Sequence, residues 1–370
     1  MCSLDRPFRL RRGGTLDRVQ LAYETWGTLN AARSNAVLVL TGLSPSSHAA
    51  SSSADPTPGW WEDMIGPGKP IDTDRLYVIC VNSLGSCFGS TGPASTDPAT
   101  GNAYRLSFPV LSLEDVAAAA HEVVRACGIE RLLAVVGPSM GGMSALAYCL
   151  QFPAHVRGLV NISSAARSLP FAIALRSLQR EMIRGDRDWL DGKYPFGTGP
   201  IRGMRLARKL GMITYRSAEE WKQRFGRERV PDARGEAAEA GMVGPFGIEF
   251  EVESYLEAHA RKFTGAFDPN CYLYLSHAMD LFDATDHGPT LDCGAGQADC
   301  LEHALVMGAT TDFLFPIEQQ RELARLLEAP NRQVTLVELP SLQGHDSFLV
   351  DMDRFRPPVA TFFEQLLSFT

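Results

Sequence analysis

The sequence of 370 residues contains no uninterrupted apolar run of the length, about 18 residues, that a transmembrane helix needs. Its first residues, MCSLDRPFRLRRGG, lack the apolar centre of a secretory signal, so no signal peptide is expected. Cysteine is sparse and scattered, at Cys2, Cys80, Cys87, Cys127, Cys149, Cys271, Cys293 and Cys300. No CxxC pair occurs, and no Cys/His cluster has zinc-finger spacing. That excludes a disulfide scaffold and a structural zinc site, and it reads as small buried side chains in a reducing cytoplasm. Positive charge is not in excess: 35 Lys and Arg stand against 43 Asp and Glu, for a net charge of −8. Neither nucleic acid nor an anionic membrane surface is an expected partner. There is no internal repeat and no low-complexity tail.

What is present fits a soluble globular enzyme, with 45% hydrophobic and 21% charged residues. The length suggests one large domain with an insertion, or two domains. The centre of the pattern is Leu132 to Pro153, LLAVVGPSMGGMSALAYCLQFP. An apolar run, Leu132 to Val136, has the length of a buried strand. Gly137-Pro138-Ser139-Met140-Gly141 fits G-x-S-x-G, and a helical apolar segment follows from Met143 to Leu150. Strand, sharp turn and helix are the context of a nucleophile elbow, which exposes the serine hydroxyl above the sheet. Small residues at Gly137, Gly141 and Gly142 allow the turn. The Met140 N–H is left at the helix start, where the dipole favours a developing anion.

On either side the chain alternates strand and helix. Val37 to Thr41 and Leu76 to Val81 read as buried strands, each ending in a loop of small residues. The first of these loops, Gly42 to Gly59, carries His48 and stands where such folds place a second oxyanion donor. Phe8 to Thr28 reads as two strands around Gly13-Gly14. Leu113 to Cys127 reads as an amphipathic helix begun by Ser112, and Val156 to Ile162 as a strand. From about Ala165 to Asp292 helical periodicity dominates, with helices expected over Phe171 to Ile183, Met204 to Thr214, Ala218 to Phe225 and Phe250 to Phe263. Pro231 to Gly247 reads as a flexible connection. Strands return at Ala304 to Gly308 and Val334 to Glu338, with a helix over Glu318 to Leu327 between them and a last helix from about Pro357 to Leu367. The expected fold is α/β, an α/β-hydrolase fold with a mostly parallel central sheet and an inserted helical lid. The boundaries are core 1–165, cap 166–292 and core 293–370.

A serine nucleophile needs a base and a group to orient it, and in this fold class the chain order is Ser, Asp or Glu, His. Asp312 follows the strand Ala304 to Gly308, and His345 follows the strand Val334 to Glu338. Both therefore fall at carboxyl ends of strands, where a parallel sheet presents its site. Ser139, Asp312 and His345 form the expected triad. The other seven histidines lack this placement, and His121 and His155 are better explained by packing.

These residues bring out a resemblance. With Gly59-Trp60-Trp61, Asp72-Thr73, Val81 to Gly85, Ser90 to Pro93, Gly137 to Met143, Thr311 to Pro316 and Gly344 to Leu349, the chain resembles the homoserine O-acetyltransferase family of α/β-hydrolase-fold acyltransferases. The resemblance implies that Ser139 accepts an acyl group from acyl-CoA and passes it to a hydroxyl amino acid in a ping-pong cycle. It implies an oxyanion hole from the N–H of Met140 and one near Thr41, with Asp346 for the acceptor ammonium and Arg208 with Tyr215 for its carboxylate. Taken by itself, Arg208 is equally a solvated helix face, and Asp346 could cap the following helix.

Two stretches resemble the serine O-succinyltransferase branch. The loop Gly42-Leu43-Ser44-Pro45 is bulkier than the family's usual loop, which suits an acceptor shorter than homoserine. Arg176 stands where acetyl-specific members typically carry Asn, and an arginine facing the site could pair with a succinyl carboxylate; a plain surface arginine is the alternative. The expected activity is therefore succinyl transfer from succinyl-CoA to L-serine, serving cysteine synthesis. Homoserine acyl transfer of methionine synthesis and simple ester hydrolysis are its rivals. No metal or resident cofactor is expected, since acyl-CoA is a co-substrate, and the resemblance implies a cytoplasmic homodimer.

Overall fold

Strands apolar on both faces can only sit in the middle of a sheet covered on both sides, and that is where the buried runs lie. The computed structural model describes residues 1–195, 197–230, 246–288 and 301–368. Its main sheet has seven strands, in the order Gln333–Leu339, His303–Ala309, Val156–Ile162, Leu132–Pro138, Ala36–Leu40, Tyr77–Val81 and Tyr23–Trp26. The first six run parallel, and Tyr23–Trp26 closes the edge antiparallel to Tyr77–Val81. All seven residues of Leu132–Pro138 are buried, as the unbroken apolar run requires.

Alternation along these strands divides the core in two. Leu38, Leu40, Val135 and Leu159 face a layer that includes Val116 and Val123 of helix Leu113–Ala126 and Leu146 of helix Met140–Gln151. Val37, Val39, Val136 and Val160 face the other layer, closed by Phe355, Val359 and Phe362 of the last helix, Met352–Ser368. Ser112 begins helix Leu113–Ala126 with a capping box, its side chain accepting from the Asp115 N–H while Asp115 reaches back.

Between Ile162 and His303 the described residues carry the helices Pro170–Arg184, Ile201–Tyr215, Ala218–Phe225, Glu251–Thr264 and Pro269–Leu281. Four of these match the helical periodicity. Pro269–Leu281 does not: it is apolar nearly all round, as a helix buried between cap and core must be. Glu257 binds the cap together, forming ion pairs with Arg205, Lys209 and Arg261, and these cations hold its pKa down at about 2 although burial acts the other way. Most of the stretch read as a flexible connection, and the boundary at 292, lie outside the described residues.

Two readings need correction. The N-terminal stretch is not two strands but four short ones, Phe8–Arg9, Thr15–Leu16, Val19–Leu21 and Tyr23–Trp26, because the chain leaves its first hairpin to reach the main sheet. The last helix starts at Met352, before Pro357 and Pro358, which it carries within its run. No helix among the described residues is long and apolar enough to cross a membrane.

Candidate active site

The elbow forms because its glycines leave no room for anything larger. A Cβ on Gly137 would lie 2.0 Å from the Gly141 carbonyl oxygen, and one on Gly141 would lie 2.1 Å from that of Leu40. Ser139 itself is held at φ 55° and ψ −124°, a conformation costing a side chain on the order of 1–3 kcal/mol. Its N–H donates to the Ile162 carbonyl at 2.9 Å, and Asn161 Nδ2 donates to the Gly142 carbonyl at 2.8 Å. The neighbouring strand thus fixes the turn from behind.

Ser139 Oγ lies 2.8 Å from His345 Nε2, and His345 Nδ1 lies 2.7 Å from Asp312 Oδ2. The other carboxylate oxygen, Oδ1, accepts the N–H groups of Leu314 and Phe315, each at 2.9 Å. Asp312 is therefore a local cap and the orienting group of the base at once. Burial by itself would lower the His345 pKa, but the charge of Asp312 and its hydrogen bond outweigh that, and the net shift is upward. Phe315 stacks on the imidazole, with ring centroids 5.1 Å apart.

Met140 is the first residue of the elbow helix, so its N–H has no acceptor inside the helix and remains available to an oxyanion. Thr41 is buried just past strand Ala36–Leu40, against Gly141, and its hydroxyl is 3.1 Å from that of Ser83.

The triad opens into a cavity of about 260 Å³. Gly42, Leu43, Ser44 and Pro45 form one wall; the cap contributes Arg208, Tyr215, Arg216, Trp221, Tyr255 and His259; Asp346 lies beside His345. Arg208 is no solvated helix residue. Its guanidinium lies 4.5 Å from the Phe263 ring centre and 5.8 Å from that of Tyr215, and its buried Nε has no hydrogen-bond partner. No carboxylate among the described residues pairs with it. Asp346 stands at the N-cap position of the short helix Ser347–Val350, but its side chain makes no capping bond there. It accepts instead from Arg216 Nε at 3.0 Å, and burial pulls its pKa up against that cation.

Arg176 does not line this cavity. It is buried, with Nε 2.6 Å from Asp280 Oδ1, and Arg180 approaches the other oxygen of Asp280 at 2.7 Å. This corrects the expectation of an arginine facing the site, and equally excludes the surface-arginine alternative. His121 and His155 have packing roles: His121 stacks on Phe152 at 3.9 Å and bonds the Tyr148 hydroxyl, while His155 bonds the Glu130 carbonyl. His48 is held by Glu24 and the Thr57 carbonyl. No group of three or more His, Cys, Asp and Glu residues suited to a metal ion occurs among the described residues.

A family model described as alpha/beta hydrolase fold matches residues 35–351. The chain is 60% identical over 357 residues to an L-serine/homoserine O-acetyltransferase of Streptomyces lavendulae, covering 96% of this chain and 94% of that protein. It is 57% identical over 360 residues to a serine O-succinyltransferase of Litchfieldella anticariensis, covering 97% and 96%. The crystal structure of homoserine O-acetyltransferase from Bacillus anthracis superposes with a TM-score of 0.84 at 27% identity, covering 96% of this chain and 95% of that one. The chain belongs to the homoserine O-acetyltransferase family of α/β-hydrolase-fold enzymes.

As a member of this acyltransferase family it is an enzyme, and its cavity contains groups that sequence reasoning passed over. Arg216, Trp221, Tyr255 and His259 all come from cap helices or their ends. One signal was available for Arg216. It directly follows Tyr215, already assigned to the site, where a helix ending there turns its next residue inward.

Proposed function

We propose that the protein transfers a succinyl group from succinyl-CoA to the hydroxyl of L-serine. The observation that carries this reading is a hydrogen-bonded Ser139–His345–Asp312 chain sharing one cavity with an unpaired cation, Arg208, and an acidic group, Asp346. A zwitterionic acceptor needs both charges, whereas water needs neither.

His345 Nε2 accepts the Ser139 proton as Oγ attacks the thioester carbonyl. The carbonyl oxygen, now negative, is held by the Met140 N–H and the N–H at Thr41. His345 then gives its proton to the departing CoA thiolate, leaving a serine ester on Ser139 and free CoA. L-Serine enters with its carboxylate at Arg208 and Tyr215 and its ammonium at Asp346. His345 accepts the proton of its hydroxyl, the oxygen attacks the ester, and the proton returns to Ser139 as the O-acyl amino acid leaves. Asp312 keeps the imidazole in the right tautomer through both halves. CoA serves as co-substrate and no resident cofactor takes part.

The wall of Leu43 and Pro45 supports serine over homoserine, which is one methylene longer. For the donor, Arg176 and Arg180 share Asp280, so this buried group keeps a net positive charge. Arg176 is among the charges acting on His345 and Tyr215, and that field supports a donor with a free carboxylate. The name of the Streptomyces relative favours a second reading, an acetyl donor with the same acceptor. Exposed Phe171 and Leu178 on one cap helix, with Leu206 and Ile213 on the helix packed against it, support a homodimer. A cytoplasmic setting and a place in cysteine synthesis fit a CoA-dependent enzyme that activates serine.

The test is CoA release measured with acetyl-CoA and succinyl-CoA, each with L-serine, L-homoserine or no acceptor. The proposal expects the highest kcat/KM for succinyl-CoA with L-serine. Faster turnover of acetyl-CoA would overturn the donor, faster turnover with homoserine the acceptor, and full rate without an amino acid the transferase reading.

A further inference from the structure

Arg216 stands between two carboxylates at the wall of the cavity. Its Nε is 3.0 Å from Asp346 Oδ2, and its Nη1 is 2.9 Å from Glu220 Oε1. One cation shared by two carboxylates leaves the trio with a net charge of about −1. Glu220 Oε2 is buried without a hydrogen-bond partner, so that surplus is not neutralised locally. Arg224 reaches Glu220 only at 4.0 Å and is 43% exposed, which makes its contribution small. Across the same cavity Arg208 supplies an unpaired positive charge. The cavity thus carries one surplus charge of each sign.

Arg216 engages Oδ2 of Asp346, whereas Oδ1 makes no hydrogen bond among the described residues. Burial raises the Asp346 pKa, and Arg216 is the strongest charge opposing that rise, followed by His345 and Arg208. Removing Arg216 would therefore leave a half-buried carboxyl without its chief partner.

We propose that Arg216 is a positioning residue for the amino-acid acceptor: it fixes the Asp346 carboxylate toward the acceptor ammonium, and Glu220 keeps Arg216 from cancelling that carboxylate's charge. The inference rests on the amino-acid-acceptor reading above. It makes the Arg216–Glu220 pair, on the cap, a determinant of acceptor binding that touches neither the nucleophile nor the base. The charged and titratable groups around the trio are His345, Arg208, Tyr215, Arg224 and His259, and none of them changes in the test.

The test compares Arg216→Gln, Arg216→Lys and Glu220→Gln with the wild type. The readouts are KM for L-serine against pH and CoA release in the first turnover without serine. In Arg216→Gln, KM for L-serine should rise about ten-fold at neutral pH, as loss of one charge-assisted bond implies, and recover as pH rises. Arg216→Lys should regain part of the loss. In Glu220→Gln the cation belongs to Asp346 alone, so the acid limb of KM should move the opposite way, to lower pH, while KM above that limb rises because Arg216 now cancels the carboxylate's charge. CoA release in the first turnover, which involves no acceptor, should fall by less than kcat/KM for serine. Two superimposable KM profiles would overturn the proposal, as would a first-turnover rate that falls as far as kcat/KM for serine. Should Arg216→Gln fail to fold, the opposite shift in Glu220→Gln still decides. A wild type indifferent to serine would instead remove the acceptor reading itself.

Discussion

Gly344 lies against the peptide that joins Arg216 to Ser217. A Cβ built on Gly344 would be 2.8 Å from the Ser217 nitrogen and 3.0 Å from the Tyr215 carbonyl oxygen. Gly344 also sits at φ +63°. The residue before the catalytic base is thus in contact with the stretch of cap that carries Tyr215 and Arg216. The Ser217 hydroxyl adds a hydrogen bond to the Leu342 carbonyl. Base and acceptor site are positioned by one contact.

Gly344→Ala should therefore damage both at once. The left-handed backbone and the clash together should cost about 1–3 kcal/mol of stability. The displaced His345 should lower kcat, and the displaced cap should raise KM for L-serine. Thermal melting and steady-state kinetics check this. A variant with wild-type melting and kinetics would show that the loop and cap are independent.

The pH profile follows from His345. It must be neutral to take the Ser139 proton, and its pKa lies above the ordinary 6.5 because Asp312 outweighs burial. The group stays protonated to a higher pH than a free histidine, so kcat/KM for the acyl donor should fall with decreasing pH along a limb centred above 6.5. In Asp312→Asn the raising charge is gone: the limb should move down, and kcat should drop by about 10³–10⁴-fold because the tautomer is no longer held. An unchanged limb in that variant would deny Asp312 its role.

Arg176 offers a separable pair of effects. Its side chain is buried on Asp280, so Arg176→Met should leave that carboxylate with Arg180 alone and cost about 1–3 kcal/mol of stability. Adding Asp280→Leu should recover much of that loss. Selectivity for succinyl-CoA over acetyl-CoA should fall in Arg176→Met, where the net charge of the group drops to zero, and return in the double variant, where Arg180 alone restores it. Selectivity unchanged in Arg176→Met, with stability alone reduced, would make Arg176 structural only.

The elbow and the triad were legible because their signals are local. Strand, G-x-S-x-G and helix are contiguous, and Asp312 and His345 each follow a strand of their own. The cavity wall was not, because it is assembled by long-range packing. Trp221, Tyr255 and His259 carry no spacing that distinguishes them from a helix surface, and only the fold of the cap turns them toward Ser139. Arg176 shows the converse. Its position in the sequence suggested the cavity, but Asp280, about a hundred residues away, takes its charge, and no helical period could reveal that partner. Pro269–Leu281 was missed for a related reason: a helix buried all round has no polar face to mark its period.

The most direct test of the account is the intact mass of the protein, quenched within the first turnover with succinyl-CoA and no acceptor. The account predicts an increase of one succinyl group, mapped by peptide fragmentation to Ser139, discharged on adding L-serine, and absent from Ser139→Ala. No covalent adduct, or an adduct on another residue that L-serine discharges, would contradict it.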